Sequence, residues 1–197
     1  MSTPSNRGCI VYYGKLPEIF GNICFHSLVY TVKIFRKKIL LLKEYFPMQN
    51  INTVEMVHII SFAFDEKNFA ELGFQIRRKV FVEEQRVNRN DEYDHFETTA
   101  QHYLAFSDNQ PVGAARWRET MNGIKLERFA VLKDHRNKGI GSFILKKILR
   151  DVAPMKKTIY LHAQLSAVNF YKREGFRIVG EIFSEANIQH YKMELVC

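Results

Sequence analysis

Leu126-Glu127-Arg128-Phe129-Ala130-Val131-Leu132-Lys133-Asp134-His135-Arg136-Asn137-Lys138-Gly139-Ile140-Gly141 runs from an apolar strand, through a basic turn punctuated by glycine, into a helix. Such a turn aims unpaired backbone N–H groups and the positive end of a helix dipole at one point, which makes it a cradle for phosphate or pyrophosphate. Glycine removes the side chains that would block the approach. Beyond Gly139 the apolar residues Ile140, Phe143, Ile144, Ile148, Leu149 and Val152 recur at helical spacing. Lys146, Lys147, Arg150 and Asp151 stand between them, and Pro154 marks the stop.

Two better-known phosphate loops fail here. A Walker loop needs Gly-x-x-x-x-Gly-Lys-Ser/Thr, which nothing around Gly139 and Gly141 provides, and a dinucleotide fingerprint needs glycine where the chain has Ile144. What remains, Arg136-x-x-Gly139-x-Gly141 after a strand ending in Ala130-Val131, resembles the acyl-CoA pyrophosphate loop of the GNAT superfamily of N-acetyltransferases. A second segment supports this. Thr158 to Ala163 alternates like a strand, and Gln164-Leu165-Ser166-Ala167-Val168-Asn169-Phe170-Tyr171-Lys172-Arg173-Glu174-Gly175-Phe176 follows, beginning 23 residues after Gly141. It resembles the strand, short helix and Gly-Phe turn that close the GNAT cofactor site. Gln164 stands where the family usually has Asn, while Ala167, Phe170, Tyr171, Gly175 and Phe176 match.

The resemblance covers about residue 56 to the C-terminus and implies an α/β fold, a mixed central sheet with helices on both faces. It implies acetyl-CoA as acyl donor, no metal and no acyl-enzyme, with direct transfer to an amine in a ternary complex. By resemblance the backbone of Phe129, Ala130 and Val131 holds the pantetheine arm. Arg136, Asn137, Lys138, Gly139, Ile140 and Gly141 take the pyrophosphate, and Gln164 offers a side-chain amide. A backbone N–H of the strand can also stabilise the oxyanion of acyl transfer. Tyr171 aligns with the tyrosine that commonly protonates the leaving thiolate; a phenol of pKa about 10 suits that exchange. A tyrosine that merely packs an amphipathic helix is the plainer alternative. Arg77 to Gln85, Gln101-His102 and Ala115 to Arg118 resemble a subgroup of small bacterial GNAT proteins whose acceptors are poorly defined.

Glu127 is the leading base. On a regularly alternating strand it shares a face with Phe129 and Val131, and burial there would raise its pKa. An ion pair with Arg116, Arg118 or Arg128 is the competing reading. His102 and His190 are weaker candidates. Val82 to Ala100 carries Glu83, Glu84, Asp91, Glu92, Asp94 and Glu97 against Arg86 and Arg89, so it reads either as an acidic lid suited to a cationic amine or as a solvated loop.

With 197 residues, 46% hydrophobic and 13% aromatic, the chain has the balance of a folded protein with one sizeable core. No uninterrupted apolar run of spanning length occurs, so no membrane segment is expected. Three cysteines, Cys9, Cys24 and Cys197, lie outside the motifs without metal-ligand spacing, which argues for reduced thiols and a cytoplasmic setting. The net charge is +8, of which +5 falls in residues 1–50. A further local +6 spans Lys133 to Lys157. That patch reads as a rim steering a polyanionic cofactor rather than as a nucleic-acid surface. Two rivals stay open: a non-catalytic acyl-CoA sensor, and a basic nucleic-acid binder.

Residues 1–54 read as a basic N-terminal extension and 55–197 as the N-acetyltransferase domain. Within the extension, Ser27 to Phe46 reads as a basic amphipathic helix, either a surface-binding arm or a dispensable leader with Met48 or Met56 as the start. The oligomeric state, a homodimer included, is left open. From Val54 onward the pattern predicts a first strand at Val57, Ile59, Phe62 and Phe64, then a helix capped by Asp65 with Phe69, Leu72, Ile76 and Val80 inward. Strands follow at His102 to Phe106, Val112 to Arg118 and Ile124 to Val131, and a last pair at Phe176 to Gly180 and Gln189 to Leu195.

Overall fold

The computed structural model describes residues 56–196. The extension 1–54, its expected helix, Met48 and all three cysteines lie outside them. β1 (Val57–Phe62), β2 (Gln101–Ser107), β3 (Gln110–Thr120) and β4 (Gly123–Val131) form an antiparallel run. β4 then lies parallel to β5 (Ile159–Gln164). The sheet continues through β8 (Ile188–Leu195) to β6 (Phe176–Ile178), and β7 (Phe183–Glu185) also pairs with β8. The parallel pair needs a crossover, supplied by α3 (Ile140–Val152), the helix that the glycine turn opens.

Helices cover both faces because the sheet is apolar on both. On one face Ile140, Ile144, Leu145, Ile148 and Val152 of α3 are buried against Ile124, Leu126, Leu161 and Ala163. The short α4 (Val168–Arg173) adds Val168 and Tyr171 to the same core. On the other face α1 (Lys67–Arg77) packs Ala70 and Ile76 over Phe62, Leu104, Ala114 and Ala130. The buried stripe of α1 is Ala70, Gly73, Ile76 and Arg77, while the expected Phe69 and Leu72 are only partly covered. Asp65 is not the cap: Glu66 occupies that position, and its carboxylate accepts from the Ala63 N–H at 3.1 Å. Phe64 falls beyond β1.

Two corrections bear on function. Val82 to Ala100 is not an open polar loop. The helix continues as a π-helical turn over Arg78–Glu84, followed by α2 (Arg89–Glu92) and a 3₁₀ turn over His95–Thr98. The second is at the C-terminus, which contains three strands rather than two. Ala186 and Asn187, both at positive φ, join β7 to β8, a turn geometry usually announced by Asn-Gly or Asp-Gly.

Gly123 starts β4 at φ +121°, and a Cβ there would lie 2.1 Å from the carbonyl oxygen of Thr158. That carbonyl accepts the Ile124 N–H at 2.8 Å, which ties β4 to the chain leading into β5. Gly123→Ala is therefore expected to cost at least about 1–3 kcal/mol, because the backbone must leave this conformation or break the contact. A urea titration checks it; an unchanged midpoint would contradict the assigned geometry.

Candidate active site

β4 and β5 part company after three residues. They pair only at Ile124 to Leu126 against Ile159 to Leu161, and further on Ala163 and Gln164 pair with β8. On the β5 side, Glu127 to Val131 thus carry backbone groups with no strand partner among the described residues. The gap opens into a cavity of about 650 Å³, lined among others by Glu127, Arg128, Phe129, Val131, Arg136, His162, Gln164, Tyr171, Glu185 and His190.

A bulge shapes this wall. Arg128 has φ +57°, and the β3–β4 register slips between Ala114 and Arg116. One extra residue exchanges the faces of everything beyond it. Leu126 packs into the α3 core, whereas Ala130 packs under α1. Phe129 and Val131 consequently sit on the α3 side, and Glu127 does not share their face as regular alternation predicts.

Glu127 instead joins a buried ion network. Its Oε2 accepts from Arg116 Nη2 at 2.9 Å and Arg118 Nε at 3.1 Å, and its Oε1 lies 3.0 Å from Lys125 Nζ. Burial alone would raise its pKa, but Arg116, Lys125 and Arg118 outweigh that and hold the carboxyl below its ordinary value. The expected rise is reversed, and the ion-pair reading holds, with Lys125 in the place suggested for Arg128. Arg116, 1% exposed, also meets Asp94 through both Nη atoms at 2.8 and 2.6 Å and Glu97 at 2.8 Å. Arg77 binds Glu92 and Glu97 at 2.5 and 2.7 Å. Arg128 reaches the Asp91 and Glu92 carbonyls and Asp94. Three acids of the supposed lid, Glu92, Asp94 and Glu97, are therefore internal counter-charges. His102 belongs here too, its Nε2 2.8 Å from the Glu97 carbonyl; it does not line the cavity.

Beyond Arg136, which lines the cavity, the chain enters the glycine turn. Asn137 and Gly139 take positive φ, and the first intrahelical bond of α3 runs from the Phe143 N–H to the Gly139 carbonyl at 3.0 Å. The N–H groups of Gly139, Ile140, Gly141 and Ser142 thus precede the helical ladder, the arrangement that binds anions. Ile140 is 1% and Ala130 2% exposed, so either can contribute through its backbone alone. Asn137, Lys138, Gly139 and Gly141 continue the turn beyond Arg136 and do not line the cavity. The Arg136 side chain is engaged within the protein. It grips Glu84 with both Nη atoms at 2.6 Å and the Val131 carbonyl through Nε at 2.9 Å, strapping the turn to the π-helical segment. Gln164 is likewise engaged, donating to Gln85 Oε1 across the cavity at 2.8 Å.

Tyr171 lies between the rings of Phe129, Phe170 and Phe176, at centroid distances of 6.0, 4.9 and 5.9 Å. Its hydroxyl makes no hydrogen bond among the described residues, and burial raises its pKa, so the phenol keeps its proton at neutral pH. Opposite it, on the α1 side of the gap, His162 Nδ1 is 2.8 Å from Glu185 Oε2. Sequence reasoning missed both: Glu185 depended on the unrecognised β7, and His162 read only as an alternating strand residue. His190 also lines the cavity, with Nδ1 held by the Ile188 carbonyl at 2.8 Å.

The model of an acetyltransferase (GNAT) domain matches residues 63–197. The chain is 40% identical over 123 residues to the uncharacterized N-acetyltransferase YjcF of Bacillus subtilis, covering 61% of this chain and 88% of that protein. Among solved structures it is similar to ElaA of Escherichia coli, with a TM-score of 0.65, 25% identity, and coverage of 72% of this chain and 100% of that one. It shares its fold with an Elizabethkingia anophelis GNAT family acetyltransferase solved with acetyl-CoA bound. There the TM-score is 0.51 at 17% identity, covering 70% of this chain and 94% of that one.

Proposed function

Because the chain belongs to the GNAT acetyltransferase family, we propose that it moves an acetyl group from acetyl-CoA to an amine by direct transfer in a ternary complex. The observation that carries this reading is the gap between β4 and β5. A strand edge without a partner among the described residues, a glycine-opened helix N-terminus three residues beyond Arg136 on the cavity wall, and a protonated phenol on that wall are together what a thioester of a phosphorylated carrier requires. Acetyl-CoA supplies the activated acyl group. The chain supplies the rest: backbone groups of Phe129 to Val131 for the carrier arm, N–H groups of Gly139 to Ser142 for the pyrophosphate, and the Tyr171 hydroxyl as proton donor to the leaving sulfur. Arg136 acts as the strap that holds the turn, and Gln164 pairs with Gln85 to join β5 to the π-helical segment.

Native mass spectrometry of the full chain tests the acyl-CoA half of this reading. We expect a one-to-one complex with acetyl-CoA that survives competition from an oligonucleotide. No uptake, with the oligonucleotide bound instead, would favour the nucleic-acid reading of the basic patch.

A further inference from the structure

We propose that the imidazole of His162, held by Glu185, is the base that takes the proton from the amine acceptor. The inference rests on the N-acetyltransferase reading and adds the residue that prepares the nucleophile.

Three observations support it. First, the bulge at Arg128 and the alternation of β5 divide the cavity wall: Tyr171 and Phe129 belong to the α3 side, and His162 to the α1 side. Proton donor and proton acceptor thus flank the gap from opposite faces, as a reaction needs when sulfur leaves on one side and nitrogen attacks from the other. Second, the Nδ1 of His162 is committed to Glu185 at 2.8 Å, and Nε2 has no partner among the described residues. A carboxylate on Nδ1 fixes the tautomer whose Nε2 carries the free lone pair. The ring is also set against Phe183, T-shaped at 4.8 Å. Third, the competing carboxylate, Glu127, is saturated by Arg116, Arg118 and Lys125.

The charged and titratable groups facing His162 come from every strand around it. They are Lys125, Glu127 and His190 on the same cavity wall, Tyr160 on its own strand, Glu185 on β7 and Lys192 opposite it on β8. Glu185 is held at about 2, first by its hydrogen bond to His162, so it remains an anion through neutral pH.

The step balances. An N–H bond of the ammonium breaks and its proton passes to Nε2, then to solvent. The freed lone pair forms the C–N bond as the C–S bond breaks. Tyr171 gives its proton to the sulfur and regains one from solvent, while the second N–H proton of the attacking nitrogen leaves through Nε2, so the products are the amide, the thiol and one proton released.

The test uses the full chain, acetyl-CoA, and a panel of a polyamine, an aminoglycoside and a lysine peptide, with kcat/KM followed against pH. His162→Gln is expected to lower kcat/KM about 10²-fold near neutral pH. The parent's acidic limb should disappear, with the rate recovering in alkali where the amine loses its proton unaided, while acetyl-CoA affinity stays unchanged. Glu185→Gln should show a smaller loss and a displaced limb, and it carries the test should the first variant fail to fold. A parent-like profile in either folded variant overturns the proposal. A parent that binds acetyl-CoA but acetylates no amine overturns the transferase reading and this inference with it, an outcome distinct because no rate exists to compare.

Discussion

Arg116→Met is expected to lower folding stability by about 3 kcal/mol, the lower end of the cost of breaking a buried ion pair, because each carboxylate loses its buried shared partner but keeps another cation. Arg116 is the hub at which Asp94, Glu97 and Glu127 converge, and it is 1% exposed. Methionine fills much of the space of the stem but returns no charge, so three carboxylates keep only Arg77, Arg118, Arg128 and Lys125. The readout is a urea unfolding curve near pH 7. A loss of less than about 1 kcal/mol would show the network to be no stronger than a surface pair.

The same network sets a direction with pH. Burial pushes the Asp94 carboxyl up, but the hydrogen bonds and charge of Arg116, with Arg128, override it and hold it at about 2. A carboxyl with a depressed folded-state pKa contributes stability that is fully present above its unfolded value, about 4. That contribution is lost as pH falls toward 2. Acid unfolding of the parent should accordingly be steeper in this window than that of Arg116→Met, in which Asp94 has lost its strongest partner.

Tyr171→Phe is expected to cost about 10²-fold or more in kcat with acetyl-CoA affinity unchanged. The substitution isolates the proton. Tyr171 is 7% exposed, packs through its ring against three phenylalanines, and forms no hydrogen bond among the described residues that phenylalanine would lose. Stability should therefore hold while the leaving sulfur goes unprotonated. Measuring kcat and the acetyl-CoA dissociation constant for both proteins checks this. A rate equal to the parent's at every pH would reduce Tyr171 to a packing residue.

The sequence exposed the glycine turn, the crossover helix and the Gln164 to Phe176 segment because each depends on local chemistry: positive φ, helical spacing, a Gly-Phe turn. It hid what depends on one residue more or less. Nothing local marks Arg128 as a bulge, so regular alternation puts Glu127 on the wrong face and gives its pKa the wrong direction. The acids between Glu92 and Glu97 look like a solvated run because their partners Arg77, Arg116 and Arg128 come from distant elements. Glu185 escaped because Ala186-Asn187 makes its tight turn without the usual glycine.

Transfer in the gap between β4 and β5 is read out by product balance. The full chain is mixed with acetyl-CoA and the amine panel, and free thiol and N-acetylated amine are quantified together. Both are expected to rise one for one, to depend on the amine and to saturate with acetyl-CoA. Stoichiometric acetyl-CoA binding with neither product formed on any amine would contradict it and leave a sensor in place of an enzyme.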